Sequence, residues 1–434
     1  MPSTSSKLWV LCDIDAAYVS FIQLFNPQFD IATTPLAVLS SNQGNVVARN
    51  QPVKDLGVKM GEPAHEALPK INRHKGHVWG SNFELFGDMS GRFHNEVANF
   101  VNDPIRYSVD ESFGLLDVNY TKDIKGHVLK MQQTLKRNLG LSCGIGVSRT
   151  KTLAKLASHC AKQRKWRAKT HGVVVLDTQE KIEWALARVK VDEIWGVGKK
   201  TAEKLNAQGV VTGLDLKRLD VNLAKQQFTV VLARTIEELN SRESIELKDI
   251  NSARDRLCVS QSMGIHVTDL NTLKEAMTSH VTNAAIKLRR FKSYTSQITV
   301  FMNTDVFRKG HAQHTPSLTV TLPYHTADTE VLVKYALFGL QRMYREGYKY
   351  KKVGVILERL VKAQDHQQLN LFEDTKKLEV SIKTKVSDEI NERFGAGAIR
   401  LGSQGFKAVW RPKDDLAPKN YTTAIGDIPT AYAK

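Results

Sequence analysis

The strongest limit on the fold of this chain is an alternation of short apolar strands with helices over its first 163 residues. Residues 7–14 form an apolar run of strand length. Residues 82–101 carry apolar side chains at the spacing of a helix. A strand at 142–148 and a helix from about 150 to 163 follow. Because strands that alternate with helices form packed layers, this part of the chain predicts an α/β fold.

Turn residues between apolar runs predict two hairpins in the same region. The predicted hairpins join residues 35–40 to 44–49, and residues 106–109 to 112–118. A helix near 121–138 follows the second hairpin. This order of elements supports a mixed sheet covered by helices.

The rest of the chain divides into a helical part and a smaller mixed part. Residues 188–240 are predicted to be helical, and residues 256–360 to run strand, helix, strand, strand, helix, strand, an α+β unit. From Pro412 the periodicity is weak, and we expect the final stretch to be loose unless a partner orders it. At about 150 residues per domain, 434 residues predict about three domains.

Charge points to a polyanionic partner. The chain holds 62 Lys and Arg against 45 Asp and Glu, a net charge of +17. No acidic residue lies between Asp123 and Asp177, a stretch with twelve basic ones, and residues 251–365 hold 17 basic against 9 acidic residues. Two separate basic regions suit a long polyanion better than a small one. No apolar run approaches the roughly 18 residues that a membrane span needs.

Three acidic residues stand at predicted strand ends. Asp13 ends the first apolar run, and Asp110 and Glu111 lie at the bend of the second hairpin. Adjacent strand residues point to opposite faces, so a local twist is needed for both to serve one site. Carboxylates beside a basic surface suit Mg²⁺, which prefers hard oxygen ligands, together with a triphosphate. On spacing alone, three unrelated surface acids remain the alternative.

Five segments, in order, resemble the motifs of the Y-family DNA polymerases, the translesion enzymes. YSVDESF (107–113) resembles their catalytic motif, and CDIDAAYVS (12–20) resembles their first motif. The other three are GNVVARNQPVKDLGVKMG (44–61), SNFELFGDMS (81–90) and CGIGVSRTKTLAKLASHCAK (143–162). Over about residues 8–375 the chain is most similar to the UmuC-like catalytic subunits of bacterial DNA polymerase V.

The resemblance implies a multi-domain α/β and α+β fold shaped like a right hand. It has a ferredoxin-like palm, small fingers and thumb, and an α+β little finger. The implied boundaries are 1–18 and 80–180 for the palm, 19–79 for the fingers, 181–245 for the thumb with a helix-hairpin-helix, 253–362 for the little finger, and 363–434 for a clamp-binding segment and C-terminal tail.

The resemblance also implies roles for individual residues. The family's catalytic, metal-binding carboxylates match Asp13, Asp110 and Glu111, and the carbonyl of Ile14 matches a further metal contact. The implied cofactor is two Mg²⁺ ions. Tyr18 falls where the family keeps an aromatic steric gate, a ring that leaves no room for a 2′-hydroxyl. A tyrosine packed in the core of the first helix is the alternative.

Basic residues are implied as triphosphate ligands. Lys54 and Lys162 match family positions, and Arg49 or Asn50 would compensate where Ala48 and Gln51 depart from the pattern. Lys155 lies two helical turns before Lys162 on the same face, so one lysine would serve the phosphates while the other packs or meets DNA. Ala17 replaces an aromatic residue beside the gate, which puts the fit of the sugar pocket in question.

Two further segments indicate DNA contacts. WGVGKKT (195–201) is typical of a helix-hairpin-helix, in which Gly196, Gly198, Lys199 and Lys200 would meet a phosphate. Lys351 and Lys352 lie in the implied little finger, which lies along DNA in the family. A tight turn between packed helices and solvated strand-end lysines are the respective alternatives.

QLNLF resembles the peptide by which bacterial polymerases bind the sliding clamp. Its predicted contacts are Gln368, Leu369, Leu371 and Phe372. Adjacent large apolar side chains in a polar segment are unfavourable in water unless a pocket receives them. A short helix docked on the little finger is the alternative.

The predicted function is error-prone, template-directed DNA synthesis past damaged bases in the SOS response, by two-metal nucleotidyl transfer. Primer-template DNA, deoxynucleoside triphosphates, the sliding clamp, a cleaved UmuD-like dimer and a recombinase filament are the implied partners. Four cysteines without a CxxC pair and a start unlike a signal peptide predict a cytoplasmic protein, and the resemblance implies a bacterial, nucleoid-associated one. A non-catalytic DNA-binding scaffold and a palm-fold nucleotidyl cyclase are the alternatives.

Overall fold

The structure, a computed structural model, describes residues 7–42, 44–246, 256–306, 308, 310–362 and 380–430. The chain divides into two compact units. The first unit comprises Met1–Ser252 and Asp414–Lys434, and the second comprises Ala253–Lys413. No helix of the described residues has the length and apolar character needed to cross a membrane.

Strands of the first unit form a larger and a smaller sheet. In chain order they are β1 (Lys7–Ile14), β2 (Leu36–Leu39), β3 (Val46–Arg49), β4 (His77–Gly80), β5 (Asn102–Arg106), β6 (Glu111–Asp117), β7 (Cys143–Ser148) and β8 (Val173–Leu176). The larger sheet has the order β5-β6-β1-β7-β8, and the smaller one β3-β2-β4. Strand β1 pairs antiparallel with both β6 and β7. Both predicted hairpins are confirmed, as β2–β3 and β5–β6.

Helices cover these sheets. They are α1 (Ala17–Gln23), α2 (Gln51–Asp55), α3 (Ala64–Arg73), α4 (Phe83–Ala98), α5 (Ile124–Leu139), α6 (Lys151–Lys162) and α7 (Arg164–Thr170). Three of them, α4, α5 and α6, lie close to where the sequence predicts a helix. The side chains of Asn82, Asp123 and Thr150 accept backbone N–H groups at the starts of α4, α5 and α6. Such caps satisfy amides that have no partner within the helix, which fixes where each helix begins.

Alternate residues of β1 enter two different cores. Val10 and Cys12 belong to the core that includes side chains of α4 and α5. Trp9 and Leu11 belong to a separate core that includes Ala154 of α6. Because successive strand residues face opposite sides, Asp13 lies on the same face as Trp9 and Leu11. The acidic end of β1 therefore faces α6.

A helical region completes the first unit. It contains α8 (Gln179–Leu186), α9 (Lys199–Ala207), α10 (Gly213–Arg218), α11 (Val221–Gln227) and α12 (Val230–Leu239). Glu238 near the end of α12 is fully buried. Its carboxylate accepts the amides of Thr152 (2.9 Å), Ser244 (3.1 Å) and Ile245 (3.2 Å). This carboxylate joins the helical region to the first turn of α6.

The second unit confirms the predicted element order of residues 256–360. Its elements are β9 (Arg256–Val267), α13 (Leu270–Arg290), β10 (Ser293–Thr304), β11 (Ser317–Thr326), α14 (Thr329–Met343) and β12 (Tyr350–Lys362). The strands form an antiparallel sheet in the order β11-β10-β12-β9. The buried apolar residues of β10 and β12 share one core with those of α13 and α14.

Residues 380–413 pack on this second unit. A further helix, α15 (Ile382–Phe394), places Asp388 in a two-bond ion pair with Arg289, at 2.6 and 2.7 Å. Trp410 is fully buried, with its ring 5.3 Å from that of His280. The amide of Gly264 in β9 donates to the carbonyl of Trp410 at 2.8 Å.

The expectation of a loose final stretch from Pro412 is wrong for the described residues 414–430. These residues belong to the first unit, where Tyr421 packs against the core. Polar side-chain contacts and one aromatic stack hold these residues in place. Such contacts need no regular spacing of apolar residues, so the segment shows neither helical nor strand periodicity. A periodicity search therefore has no signal to detect there.

Candidate active site

The strand register brings two of the predicted acids to one face of the larger sheet. Asp13 near the end of β1 lies directly opposite Glu111 at the start of β6. Side chains of directly opposed residues in an antiparallel pair share a face, with Cβ atoms about 4.5–5.5 Å apart. Both side chains are partly buried. The antiparallel register therefore places these two carboxylates side by side.

Asp110 joins them because it lies in a bend rather than in a strand. The hydroxyl of Ser108 donates to the Asp110 carboxylate at 2.6 Å and accepts the amides of Asp110 (3.2 Å) and Glu111 (3.0 Å). The carbonyl of Asp110 accepts the amide of Ile14 at 3.0 Å. This bend supplies the local twist that the sequence requires, since alternation does not apply to a residue outside the strand.

Two lysines of α6 contact the acids. The Lys155 ammonium lies 2.7 Å and 3.0 Å from the two carboxylate oxygens of Glu111. Lys162 pairs with Asp13 and donates to the carbonyl of Ile14 at 2.9 Å. The predicted shared face of the two lysines is therefore observed. Both of them reach carboxylates, so neither is simply a surface lysine.

The electrostatics of this edge reflect its burial. Burial raises the pKa of Asp13 against the lowering effect of Lys162, and with the smaller raising effects of Glu111 and Asp110 the pKa reaches about 7. Burial by itself lowers the pKa of Lys162, but Asp13 and Asp15 outweigh that effect and the pKa ends above its usual value. The site thus concentrates negative charge that needs cations close by.

A cavity of about 190 Å³ opens beside these groups. It is lined by Asp13, Glu111, Thr152, Lys155, Leu156, His159, Lys162, Glu193, Ile194 and Trp195. The rings of Tyr107 and Trp195 contact Lys155, whose ammonium lies 4.7 Å and 5.5 Å from the two ring centres. The cavity is therefore lined mainly by charged and polar side chains, with the ring of Trp195 among them.

Tyr18 on α1 lies in a stack of aromatic rings. Its ring is parallel to that of Phe86 of α4, with centres 4.3 Å apart, and meets the edge of Phe83 at 6.3 Å. Tyr18 is only partly buried, whereas Phe86 is buried. Its partial exposure argues against the alternative of an ordinary core tyrosine.

Lys54 lies among other cationic side chains. Burial lowers the pKa of Lys54, and the neighbouring charges of Arg49 and Lys162 lower it further. Burial likewise lowers the pKa of Arg49. Of the predicted triphosphate ligands, Lys54 is therefore near enough to both Arg49 and Lys162 to be repelled by their charges. Such a cluster suits an anionic ligand.

The donor set of the site fits Mg²⁺ in its chemistry. Asp13, Asp110, Glu111 and the carbonyl of Ile14 offer the hard oxygen atoms that this ion prefers. Among the described residues, however, no group of three or more His, Cys, Asp or Glu side chains is already arranged to hold a metal ion. Lys155 and Lys162 neutralise Glu111 and Asp13, so metal ions would have to replace these ammonium groups as the nearest cations.

The WGVGKKT turn also has features of an anion-binding turn. Gly196 adopts a φ of +89°, and Gly198 precedes α9 without a side-chain cap. The first amides of α9 thus lack a capping side chain, and Lys199 and Lys200 are exposed beside them. Buried Val197 shows that the turn also packs between helices. Packing between helices is therefore observed, and the contact of this turn with a phosphate stays a prediction.

The two little-finger lysines lie on β12 in the second unit. Lys351 donates to the carbonyl of Gly264 at 3.4 Å, and burial lowers its pKa. The Lys352 ammonium lies 6.0 Å from the ring centre of Phe301. The predicted clamp contacts Gln368, Leu369, Leu371 and Phe372 lie outside the described residues.

Sequence reasoning missed three supporting residues. Ser108 shapes the acidic bend, Phe86 supports Tyr18, and Arg167 of α7 pairs with Asp15. Ser108 and Phe86 stand inside the quoted motifs, so their position was the available signal. Nothing local in the sequence pairs Arg167 with Asp15, which lies 152 residues away.

Comparison with known proteins places the chain in a family. Residues 12–159 match the impB/mucB/samB family, residues 254–371 its C-terminal domain, and residues 180–210 the family's helix-hairpin-helix motif. Residues 384–431 match a domain of unknown function, DUF4113. The chain is 34% identical over 423 residues to protein UmuC of Salmonella typhimurium, covering 97% of this chain and 99% of UmuC. It is also 34% identical to protein MucB of Salmonella typhimurium over 98% of this chain and all of MucB.

Solved structures agree in fold. A Y-family DNA polymerase chimera of Dbh and Dpo4 matches with a TM-score of 0.65 at 18% identity, covering 82% of this chain and 99% of the chimera. The chain therefore belongs to the impB/mucB/samB family, the UmuC branch of the Y-family DNA polymerases. Its class is that of a DNA-directed DNA polymerase, and the multi-domain α/β and α+β polymerase fold expected from the sequence is confirmed.

Removing the Ser108 hydroxyl tests how the acidic bend is held. Ser108→Ala removes a hydrogen bond to Asp110, and a bond to a charged group contributes about 1.5–3 kcal/mol. We expect kcat of primer extension to fall at least about tenfold, because the carboxylate loses its fixed orientation. Single-turnover extension with saturating nucleotide measures this. Ser108→Thr keeps the hydroxyl as control, and an equal loss in both variants would contradict the assigned role.

Proposed function

We propose that this chain inserts deoxynucleotides opposite and past damaged template bases by two-metal nucleotidyl transfer. One observation carries the proposal: Asp13, Asp110 and Glu111 converge on one edge of the larger sheet, beside a pocket lined by cationic and aromatic side chains. The same edge combines acids for metal ions with cations for phosphates, and nucleotidyl transfer needs both.

The proposed chemistry assigns one task to each group. Asp13, Asp110, Glu111 and the carbonyl of Ile14 would hold two Mg²⁺ ions, which supply positive charge for the attacking and leaving oxygens. Arg49, Lys54 and Lys162 hold the triphosphate and balance the charge that grows on the departing pyrophosphate. The primer 3′-hydroxyl attacks the α-phosphorus, its proton leaves to solvent or a nearby base, and pyrophosphate departs.

We propose that the basic turn and the second unit hold primer-template DNA. Gly196, Gly198, Lys199 and Lys200 offer backbone amides and charge to a phosphate, and Lys351 and Lys352 add charge on β12. These contacts reach the DNA backbone and read no sequence, which suits an enzyme that copies any template. Among solved structures with this fold is an insertion ternary complex of the DNA polymerase Dbh, at a TM-score of 0.50 and 17% identity.

A non-catalytic DNA-binding scaffold is the competing proposal. The burial of Asp13, which raises its pKa to about 7, argues against a scaffold because burying an acid beside two others is unfavourable. A DNA-binding scaffold gains nothing from that arrangement. A palm-fold nucleotidyl cyclase would have no use for the helix-hairpin-helix match at residues 180–210.

The acids provide the direct test of catalysis. We expect Asp110→Asn and Glu111→Gln each to lower primer extension to below about 1% of the parent, because each variant loses a negative charge that acts on the transition state. DNA affinity, measured by fluorescence anisotropy, should change less than about twofold, because the basic surface is intact.

Asp103→Asn is the matched control, since Asp103 is an exposed acid on β5 of the same sheet. It should retain parental extension. Extension well above the stated level in both active-site variants would leave the scaffold as the better account.

We propose Tyr18 as the steric gate that excludes ribonucleotides, because its ring is partly exposed and supported from below by Phe86. Tyr18→Ala should raise the ratio of ribonucleotide to deoxynucleotide incorporation at least about tenfold. Competing primer extensions measure the ratio. Tyr120→Ala, at a tyrosine that is 88% exposed, is the control. An unchanged ratio for Tyr18→Ala would move the gate to another residue.

We propose that Gln368, Leu369, Leu371 and Phe372 bind the sliding clamp, on the sequence resemblance alone. Two large apolar side chains entering pockets contribute about 3–6 kcal/mol before the cost of ordering the peptide. Replacing Leu371 and Phe372 by Ala should therefore weaken clamp binding at least about tenfold. Titration with fluorescent clamp measures this. Equal affinity, with a lowered melting temperature, would indicate a segment docked on its own chain.

We further propose action in the SOS response in the bacterial cytoplasm and nucleoid, with a cleaved UmuD-like dimer and a recombinase filament as partners. The supporting observation is the family membership, joined to exposed Ile382, Val386 and Phe394 on α15. Size-exclusion chromatography of the full chain with each purified partner tests this proposal. We expect the chain and the partner to elute together, and separate elution would reject that partner.

A further inference from the structure

The last described residues of the chain lie on the smaller sheet of the first unit. The amide of Gly80, at the end of β4, donates to the carbonyl of Leu416 at 2.7 Å. The amide of Leu416 donates to the side-chain oxygen of Asn42 at 3.1 Å. A Cβ atom at Gly80 would lie only 3.1 Å from the amide nitrogen of Ala417. The two backbones thus approach closely, and glycine leaves room for that contact.

Asn82 links this segment to the start of α4. Its carbonyl oxygen caps the helix by accepting the amides of Glu84 and Leu85, both at 3.1 Å. Its amide nitrogen donates to the carbonyl of Pro418 at 2.8 Å and to the side-chain oxygen of Asn420 at 2.6 Å. One side chain therefore both defines the first turn of α4 and holds the C-terminal segment.

Tyr421 links the same segment to the end of α1. Its ring stacks on that of Phe25, with centres 4.7 Å apart and planes 15° from parallel. Phe25 lies two residues after the last residue of α1. Helix α1 carries Tyr18, and α4 carries Phe86, whose ring supports Tyr18. The segment therefore touches the ends of both helices that form the aromatic stack.

We propose that residues 416–421, within the domain of unknown function, position the aromatic gate of the nucleotide pocket. Asn82, Asn420 and Tyr421 are positioning residues: they hold the helix ends, and the helices hold the rings of Tyr18 and Phe86. A ring that excludes one hydroxyl works only while its distance from the sugar is kept within a fraction of an ångström. The inference rests on the proposed function of Tyr18 as that gate.

Asn82→Asp separates the two tasks of this side chain. The carboxylate still caps α4, because aspartate is as good a cap as asparagine. It cannot donate to Pro418 or Asn420, and it repels both of those oxygens. We expect the ratio of ribonucleotide to deoxynucleotide incorporation to rise about threefold to tenfold, the size of effect of one neutral hydrogen bond, because the rings feel the two lost bonds only through the helix end. The KM for deoxynucleotides should rise more than kcat falls, because the sugar pocket loosens while the acids stay in place.

Tyr421→Ala should change the ratio in the same direction by removing the stack on Phe25. Ile425→Ala is the control, because Ile425 lies four residues beyond the segment and its side chain is 91% exposed. It should match the parent in ratio, KM and melting temperature. If Asn82→Asp and Tyr421→Ala lower the melting temperature but leave the ratio unchanged, the contacts are merely structural and the inference is overturned.

Tyr18→Ala distinguishes failure of the inference from failure of the gate. If Tyr18→Ala raises the ratio and the two segment variants do not, the gate stands and the positioning role falls. If Tyr18→Ala leaves the ratio unchanged, the gate assignment fails and the inference fails with it.

Hydrogen–deuterium exchange of the full chain gives a reading that needs no polymerase activity. Asn82→Asp and Tyr421→Ala should speed exchange in α1 and α4 at least about threefold, while Ile425→Ala should not. Parental exchange rates in both helices would overturn the positioning role even if the chain proved to be a scaffold.

Discussion

Charge balance at the edge of the larger sheet governs the arrangement of the first unit. The antiparallel register sets Asp13 opposite Glu111, and the bend at Ser108 adds Asp110 to the same edge. Three acids this close repel one another unless cations are near. Helix α6 supplies these cations as Lys155 and Lys162, which lie seven residues apart on one face and pair with Glu111 and Asp13. Its packing on the sheet is thus set by electrostatics as well as by apolar burial.

The same balance explains why the site is both stable and open to ligands. Ammonium groups on flexible four-carbon stems can move away when a stronger cation arrives, whereas a buried arginine pair would resist exchange. The aromatic rings around Lys155 give its charge a second favourable location. The acids of this edge are therefore paired in the structure, and the ammonium groups that pair with them sit on side chains that can move.

Much of this molecule was predictable from sequence, for physical reasons. Strands such as Cys143–Ser148 and helices such as Lys151–Lys162 are long, regular and capped, so local pattern identifies them. The side-chain pairings were harder, because Lys155 meets Glu111 across 44 residues and Arg167 meets Asp15 across 152. The segment near Tyr421 was missed altogether, since single polar contacts with Asn82 have no period to detect.

The buried carboxylate of Glu238 has a consequence for how the chain is made. It holds the first turn of α6 through the amide of Thr152, yet it lies 86 residues later in the sequence. During synthesis at about 5–20 residues per second, α6 exists for several seconds before that anchor leaves the ribosome. Until then its first turn lacks this hydrogen bond and rests on local capping alone. A nascent chain that stalls before Glu238 therefore lacks this anchor for α6, the helix whose Lys155 and Lys162 pair with the acids of the sheet edge.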